Sequence, residues 1–115
     1  MDIKMIIELR NLYRAYLDIL LKEGTLEDYS IKGYIVYFRE AIFYLNDVVS
    51  GKVQLTKEDI GIIKKRYSGL YHPHGGLGEF YIHRENAKER VFENEIVSQL
   101  QFKINNIFEI LLDEK

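Results

Sequence analysis

The chain contains no cysteine, which excludes disulfide bonds, thiolate metal ligands and a cysteine nucleophile. This absence fits the reducing cytoplasm, and we expect a cytoplasmic protein. No stretch approaches the roughly 18 apolar residues that a membrane-spanning helix needs. The N-terminal sequence MDIKMIIELRNLYRAY has scattered charges and no small-residue cleavage site, so it does not resemble a secretory signal. We therefore expect no membrane partner.

An excess of basic charge is also lacking, because 16 Lys and Arg stand against 18 Asp and Glu. Proteins that bind nucleic acid over a broad surface are usually strongly basic, so a nucleic-acid partner would need a local patch and is not expected here. A mildly acidic chain is compatible with a basic protein partner, since complementary charge speeds association. We expect another protein as partner, with a homodimer as the alternative.

Helical periodicity covers most of the sequence. Apolar residues recur at steps of three and four over four segments, which predicts amphipathic helices. The segments run from about Asp2 to Lys22, from about Ser30 to Val49, from Thr56 to about Gly69, and from Asn86 to the C-terminus. Such helices are not stable alone in water and must bury their stripes against one another. The pattern predicts an all-α four-helix bundle forming a single domain over residues 1–115.

The predicted core consists of the apolar residues at helical spacing. In the first helix they are Ile6, Leu9, Tyr13, either Tyr16 or Leu17, and Leu20. In the second they are Ile31, either Tyr34 or Ile35, Phe38, Ile42, Leu45 and Val49. In the third they are Ile60, Ile63, Tyr67 and Leu70. In the fourth they are Val97, Leu100, Ile104, either Ile107 or Phe108, and Leu111.

Residues typical of helix ends flank these segments. Ser50-Gly51 is suited to end the second helix, since glycine adopts the left-handed conformation that follows many helices. Thr56 is suited to cap the third helix through the N–H of Glu58 or Asp59. The sequence NAKE from Asn86 resembles a capping box at the start of the fourth.

The second helix carries more apolar surface than one buried stripe requires. Tyr37, Ala41, Tyr44 and Val48 form a second set at helical spacing. This set is either covered by neighbouring segments or exposed as an interaction patch. Tyrosine is favoured at binding hot spots, so Tyr37 and Tyr44 are candidate binding residues.

The unusual residues of the chain gather in one long Gly/His-rich loop between the third and fourth helices, about Gly69 to Arg84. The stretch YHPHGGLGEFYIHRE holds the only proline and all three histidines. We expect its glycines to set the backbone path and Leu77 to point inward as an apolar plug. Alternation in EFYIH predicts Phe80 and Ile82 toward the core. The remaining binding candidates are His72, His74, Glu79, Tyr81 and His83.

A metal site built from the loop histidines is one alternative. His72, His74, Glu79 and His83 are all potential ligands of a zinc-like ion. However, Pro73 separates the first two and no spacing to a fourth ligand is recognisable. We therefore expect neither a metal nor another cofactor, and metal binding stays an alternative function.

Ribonuclease activity is a second alternative. Arg66 and His72 stand as R-x5-H in RYSGLYH, which is similar to the R-x4-6-H motif of HEPN-type ribonucleases, a family of small all-helical domains. The resemblance implies that both side chains act on an RNA phosphate, with His72 as acid or base. We expect the helix to end between them at Gly69, so that they do not converge.

A further resemblance covers the second half of the chain. GGLGEFYI at Gly75 to Ile82, followed by NEIVSQLQFKI from Asn94, resembles small bacterial all-helical proteins. In those proteins a Gly-Ser-Phe/Leu-Asn-Asp-Leu segment precedes an Asn-containing final helix. The resemblance implies an immunity or accessory partner of a bacterial toxin system. Our first functional hypothesis is accordingly a non-enzymatic protein-binding module that neutralises a toxin by covering its surface.

Overall fold

Four α-helices form the protein in the computed structural model, which describes residues 2–23, 29–71, 77, 82 and 84–112. They are α1 (Ile3–Glu23), α2 (Tyr29–Val49), α3 (Lys57–Ser68) and α4 (Ala87–Leu112). No strand occurs in these described ranges. The predicted all-α, four-helix architecture is confirmed.

The end of α2 shows why a glycine is needed at position 51. Gly51 adopts a φ of 84°, the left-handed region that strains residues with a Cβ. Its N–H donates to the carbonyl of Val48 at 3.1 Å, and the N–H of Lys52 donates to the carbonyl of Asp47 at 2.9 Å. This pair of bonds is the Schellman arrangement, which satisfies carbonyls that the helix leaves free. The predicted glycine stop is confirmed.

Thr56 and Asn86 cap α3 and α4 as the sequence predicts, but the reciprocal capping box expected at Asn86 forms at Thr56 instead. The Thr56 hydroxyl accepts from the Asp59 N–H at 3.2 Å, and the Asp59 carboxylate accepts from the Thr56 N–H at 3.1 Å. The Asn86 side-chain oxygen accepts from the N–H groups of Lys88 at 2.9 Å and Glu89 at 3.2 Å. Side-chain acceptors thus satisfy donors that have no partner inside the helix.

The predicted stripes form one hydrophobic core. Tyr16 rather than Leu17 is fully buried in α1, while α2 and α4 bury both members of each predicted pair. Val49 and Leu70 are only half-buried, and the neighbouring Val48 takes the buried position instead of Val49. The second stripe of this helix therefore contributes to the core through Ala41 and Val48.

The helices pack unequally against one another. α1 packs closely against α2 and α4, and α3 packs against α4. In the described part of the chain, no comparably close backbone packing joins α2 to α3. The faces of α2 and α3 therefore leave an open seam between their backbones.

The long loop is fastened to the helices at the points where it is described. Leu77 is fully buried, and its N–H donates to the Leu70 carbonyl at 2.7 Å. The Asn94 side chain accepts from the Ile82 N–H and donates to the Ile82 carbonyl, both at 2.8 Å. The inward positions predicted for Leu77 and Ile82 are confirmed. The predictions for residues 72–76, 78–81 and 83 lie outside the described residues.

An ion pair holds the chain where the loop enters α4. The Arg84 guanidinium donates to the Glu23 carboxylate at 3.0 Å, and its Nε lies 2.7 Å from Glu93. The hydrogen bond from Arg84 holds the pKa of Glu23 below its usual value. Arg84 thus ties the last turn of α1 to the first part of α4.

No helix among the described residues has the length and apolar character to cross a membrane.

Candidate functional site

A groove of about 290 Å³ runs along the open seam between α2 and α3. Eight residues line it: Tyr37, Glu40, Ala41 and Tyr44 from α2, and Asp59, Ile62, Ile63 and Arg66 from α3. On each helix these residues recur at steps of three and four, which places them along one side of that helix. The groove therefore consists of two adjacent helix faces whose backbones do not pack closely.

The groove has an apolar floor and one exposed apolar side chain at its rim. Ala41 and Ile63 are buried at the floor, at 8% and 9% exposure. Ile62, the residue directly before Ile63 in the chain, is 48% exposed. An aliphatic side chain left half in water beside an apolar floor is available for burial by a partner.

The hydroxyl of Tyr37 bridges the seam from inside. It donates to the Ile63 carbonyl at 3.0 Å, and its oxygen lies 2.9 Å from the Tyr13 hydroxyl. Since Tyr37 uses its proton on the carbonyl, Tyr13 is the donor of the second bond. Burial raises the pKa of Tyr37 to about 12. Tyr37 therefore forms the inner wall of the groove and links α1, α2 and α3.

Tyr44 is the more accessible of the two candidate tyrosines. It is half-buried and lies beside Asp59 across the seam. Desolvation and then the negative charge of Asp59 raise the pKa of Tyr44 above its usual value. Asp59 also serves the α3 cap, so its position is fixed by Thr56. Tyr44 consequently presents a ring of defined position at one end of the groove.

Two charged side chains of opposite sign stand on the two walls. Glu40 belongs to α2 and Arg66 to α3, and both are exposed. Neither makes a hydrogen bond or an ion pair with another residue that the structure describes. Both remain available to a molecule that enters the groove.

Five tyrosines form a hydroxyl-rich cluster behind this groove. The tyrosine cluster consists of Tyr13, Tyr16, Tyr37, Tyr67 and Tyr71. The Tyr67 and Tyr71 hydroxyls lie 2.6 Å apart, and Tyr16 accepts from the Gln101 amide at 2.9 Å. Burial is the largest cause that raises the pKa of every member. These hydroxyls are protonated at neutral pH and act as hydrogen-bonding groups of the core.

Of the two residues of the ribonuclease motif, the structure describes Arg66 alone. Arg66 lines the groove, and α3 ends at Ser68 with Gly69 following, as the sequence predicts. His72 lies outside the described residues, as do His74, Glu79, Tyr81 and His83. Within the described ranges, no cluster of three or more His, Asp or Glu is arranged to hold a metal.

Comparison of the chain with protein-family models, curated proteins and solved structures found no match. The case for a function therefore rests on the groove and on the sequence motifs.

Sequence reasoning named several groove residues without bringing them together. It singled out Tyr37 and Tyr44 for binding, Asp59 for capping and Arg66 for RNA cleavage. It missed Glu40 and Ile62, although each stands at helical spacing from a residue already named. The missing information was the pairing of α2 with α3, which no single-helix pattern contains.

Proposed function

We propose that the protein is a non-enzymatic binding module whose α2–α3 groove receives an apolar segment of a partner protein. The observation that carries this proposal is the half-exposed Ile62 beside a buried apolar floor in the open seam. Burial of such a side chain on association gives a favourable free energy without any catalytic group.

The size and chemistry of the groove favour side chains over a cofactor. Its volume of about 290 Å³ stands at the lower edge of the roughly 300–1,000 Å³ typical of small-molecule pockets. Its tyrosine hydroxyls have raised pKa values, so they are poor bases at neutral pH. One or two large apolar side chains of a partner would fill this space.

The charged rim supports a protein partner of mixed charge. Glu40 and Arg66 stand on opposite walls and can each form an ion pair with the partner. Such rim pairs contribute to orientation and association rate more than to affinity. The resemblance of the second half of the chain to toxin-associated bacterial proteins supports a toxin or effector as this partner, neutralised when its surface is covered.

The proposal is tested by one charge substitution in the groove. The partner to examine is the product of the reading frame directly upstream, where that frame encodes a large toxin-like protein. Ile62→Glu should weaken its binding at least tenfold, about 1.4 kcal/mol, because the new carboxylate would be buried against the apolar floor. Isothermal titration calorimetry measures the affinity, and growth of cells expressing both proteins measures neutralisation.

Ile110→Glu is the matched control. Ile110 is 51% exposed and lies on α4, away from the groove residues. The two variants change the same side chain at almost equal exposure, so they differ only in location. Equal affinities for the two variants would show that the groove is not the binding surface.

Ribonuclease activity makes a separate prediction. The observation in its favour is the Arg66 guanidinium in the groove, which forms no ion pair with the residues that the structure describes. Metal-independent cleavage of RNA that is abolished by His72→Ala, with folding retained, would replace the binding proposal. No cleavage by the wild-type protein would remove this alternative.

A further inference from the structure

A second surface lies on the opposite side of α2, where two arginines of α1 converge on one neutral oxygen. Arg10 Nη1 and Arg14 Nη2 each donate to the side-chain oxygen of Asn46 at 3.2 Å. Arg10 also reaches Asn11 at 3.4 Å. All of these acceptors are neutral amides, so two positive charges are brought together without a negative one.

The two arginines share an acceptor but no counter-charge. Neither arginine forms an ion pair with any residue in the described ranges. The Nε of Arg10 is enclosed by protein and has no hydrogen-bond acceptor. A guanidinium in this position is stabilised by a carboxylate, whose two oxygens match its donors. An oxyanion from outside can approach the two charges at Arg14, which is exposed, but not at the enclosed Arg10 Nε.

Exposed apolar side chains continue the same face along α2. Phe43 precedes Asn46 by three residues and is 72% exposed. Val36, two helical turns before Phe43, is 52% exposed. Arg39 and Glu40 are also exposed and both stand at helical spacing between them, so the net positive charge of the face comes from Arg10 and Arg14. The face thus combines positive charge with an apolar stripe, although the chain as a whole is acidic.

We propose that this face, formed by Arg10, Arg14, Asn46, Phe43 and Val36, binds an acidic amphipathic helix of a protein partner. Carboxylates of that helix pair with the two guanidinium groups, and its apolar stripe covers Phe43 and Val36. The surface is distinct from the α2–α3 groove, because none of these five residues lines that groove. The proposal therefore does not depend on the function assigned to the groove.

The observations favour a protein over a nucleic acid as the occupant. Single-stranded nucleic acid is held by several aromatic rings that stack on successive bases. This face offers one exposed ring, Phe43, and an aliphatic side chain in Val36, which cannot stack. An apolar stripe of a helix matches both residues.

The test uses a synthetic amphipathic helix whose Leu stripe is flanked by Glu, a matched peptide with Gln in place of Glu, and a single-stranded oligonucleotide. The wild-type protein should bind the Glu peptide at least tenfold more tightly than the Gln peptide. Asn46→Asp should reduce binding of the Glu peptide at least tenfold, because an internal carboxylate then occupies both arginines. Fluorescence anisotropy of labelled probes measures each affinity.

Asn106→Asp is the control, since it adds the same charge at an exposed position of α4. It should leave peptide binding within about twofold of the wild type. Urea unfolding should show that Asn46→Asp is at least as stable as the wild type, because it gains ion pairs with Arg10 and Arg14. Phe43→Ala, which removes an exposed ring, should also weaken binding of the Glu peptide.

Three results would overturn the proposal. Equal affinity for the Glu and Gln peptides would show that the arginines do not select carboxylates. An equal effect of the two Asn→Asp variants would show that net charge, not this site, controls binding. Tighter binding of the oligonucleotide than of the Glu peptide would assign the face to nucleic acid instead.

Discussion

A chain of hydrogen bonds runs from Tyr13 through Tyr37 to the Ile63 carbonyl. It predicts that the stability cost of substituting Tyr13 depends on whether Tyr37 has also been substituted. Tyr13 is fully buried, and its hydroxyl donates to Tyr37 at 2.9 Å. Tyr37 donates onward to Ile63 at 3.0 Å. Removal of the middle hydroxyl therefore leaves the first one buried without an acceptor.

The expected magnitudes follow from that asymmetry. Tyr13→Phe alone removes one hydrogen bond and should cost about 1 kcal/mol of unfolding free energy. Tyr37→Phe should cost about 1–3 kcal/mol, because the Tyr13 hydroxyl stays desolvated and unpaired. The double variant removes that stranded hydroxyl. Tyr13→Phe should therefore be neutral or stabilising when Tyr37 is already Phe.

The assay is urea unfolding of all four proteins, followed by circular dichroism and analysed as a double-mutant cycle. The predicted coupling is about 1 kcal/mol or more, with the double variant no less stable than Tyr37→Phe. If Tyr13→Phe costs the same in both backgrounds, the two hydroxyls do not interact and the chain described here is wrong.

Three further predictions concern stability. The pKa values of the tyrosine cluster are raised on folding, so urea midpoints should stay constant up to about pH 9 and fall above about pH 10, where only the unfolded state releases these protons; a constant midpoint at higher pH would contradict this. Asn94→Ala should reduce the free energy of unfolding by about 1–3 kcal/mol, because the backbone N–H and carbonyl of Ile82 lose their partner. Amide exchange at Ile82 should become faster. Asn106→Ala, at an exposed position, should change stability little. Gly51→Ala should reduce the free energy of unfolding by about 1–2 kcal/mol, because φ at this position is 84°. Gly33→Ala, in a helix with open space where the new Cβ would lie, should instead raise it by about 0.5–1 kcal/mol. Thermal melts that show equal effects of the two variants would refute the backbone argument.

Periodicity in the sequence predicts which face of each helix is buried. The stripes of α1, α3 and α4 follow their spacing almost residue by residue. In α4 this holds although Val91, Phe92 and Phe102 are apolar residues that stay exposed outside the stripe. The choice between Tyr16 and Leu17 was not predictable, since the two lie about 100° apart and flank the stripe on opposite sides. Burial of Tyr16 depends on Gln101, which supplies a partner for its hydroxyl from another helix.

The candidate sites depend on how helices pair, and that information is absent from single-helix patterns. Nothing in the spacing of Ile62 shows that it borders Tyr44 across an open seam. Likewise, the convergence of Arg10 and Arg14 requires Asn46 of α2 beside them. Local signals, such as the Thr56 cap, are predictable because all their atoms lie within a few residues.

Photocrosslinking from position 62 tests the central claim, that the α2–α3 groove binds a partner protein, most directly. A photoreactive phenylalanine analogue replaces Ile62 in one protein and Ile110 in another, and each is irradiated with the product of the upstream reading frame. We predict a covalent adduct from position 62 and none above background from position 110. Crosslinking from position 110 alone, in a complex that forms with full affinity, would contradict the assignment of the groove.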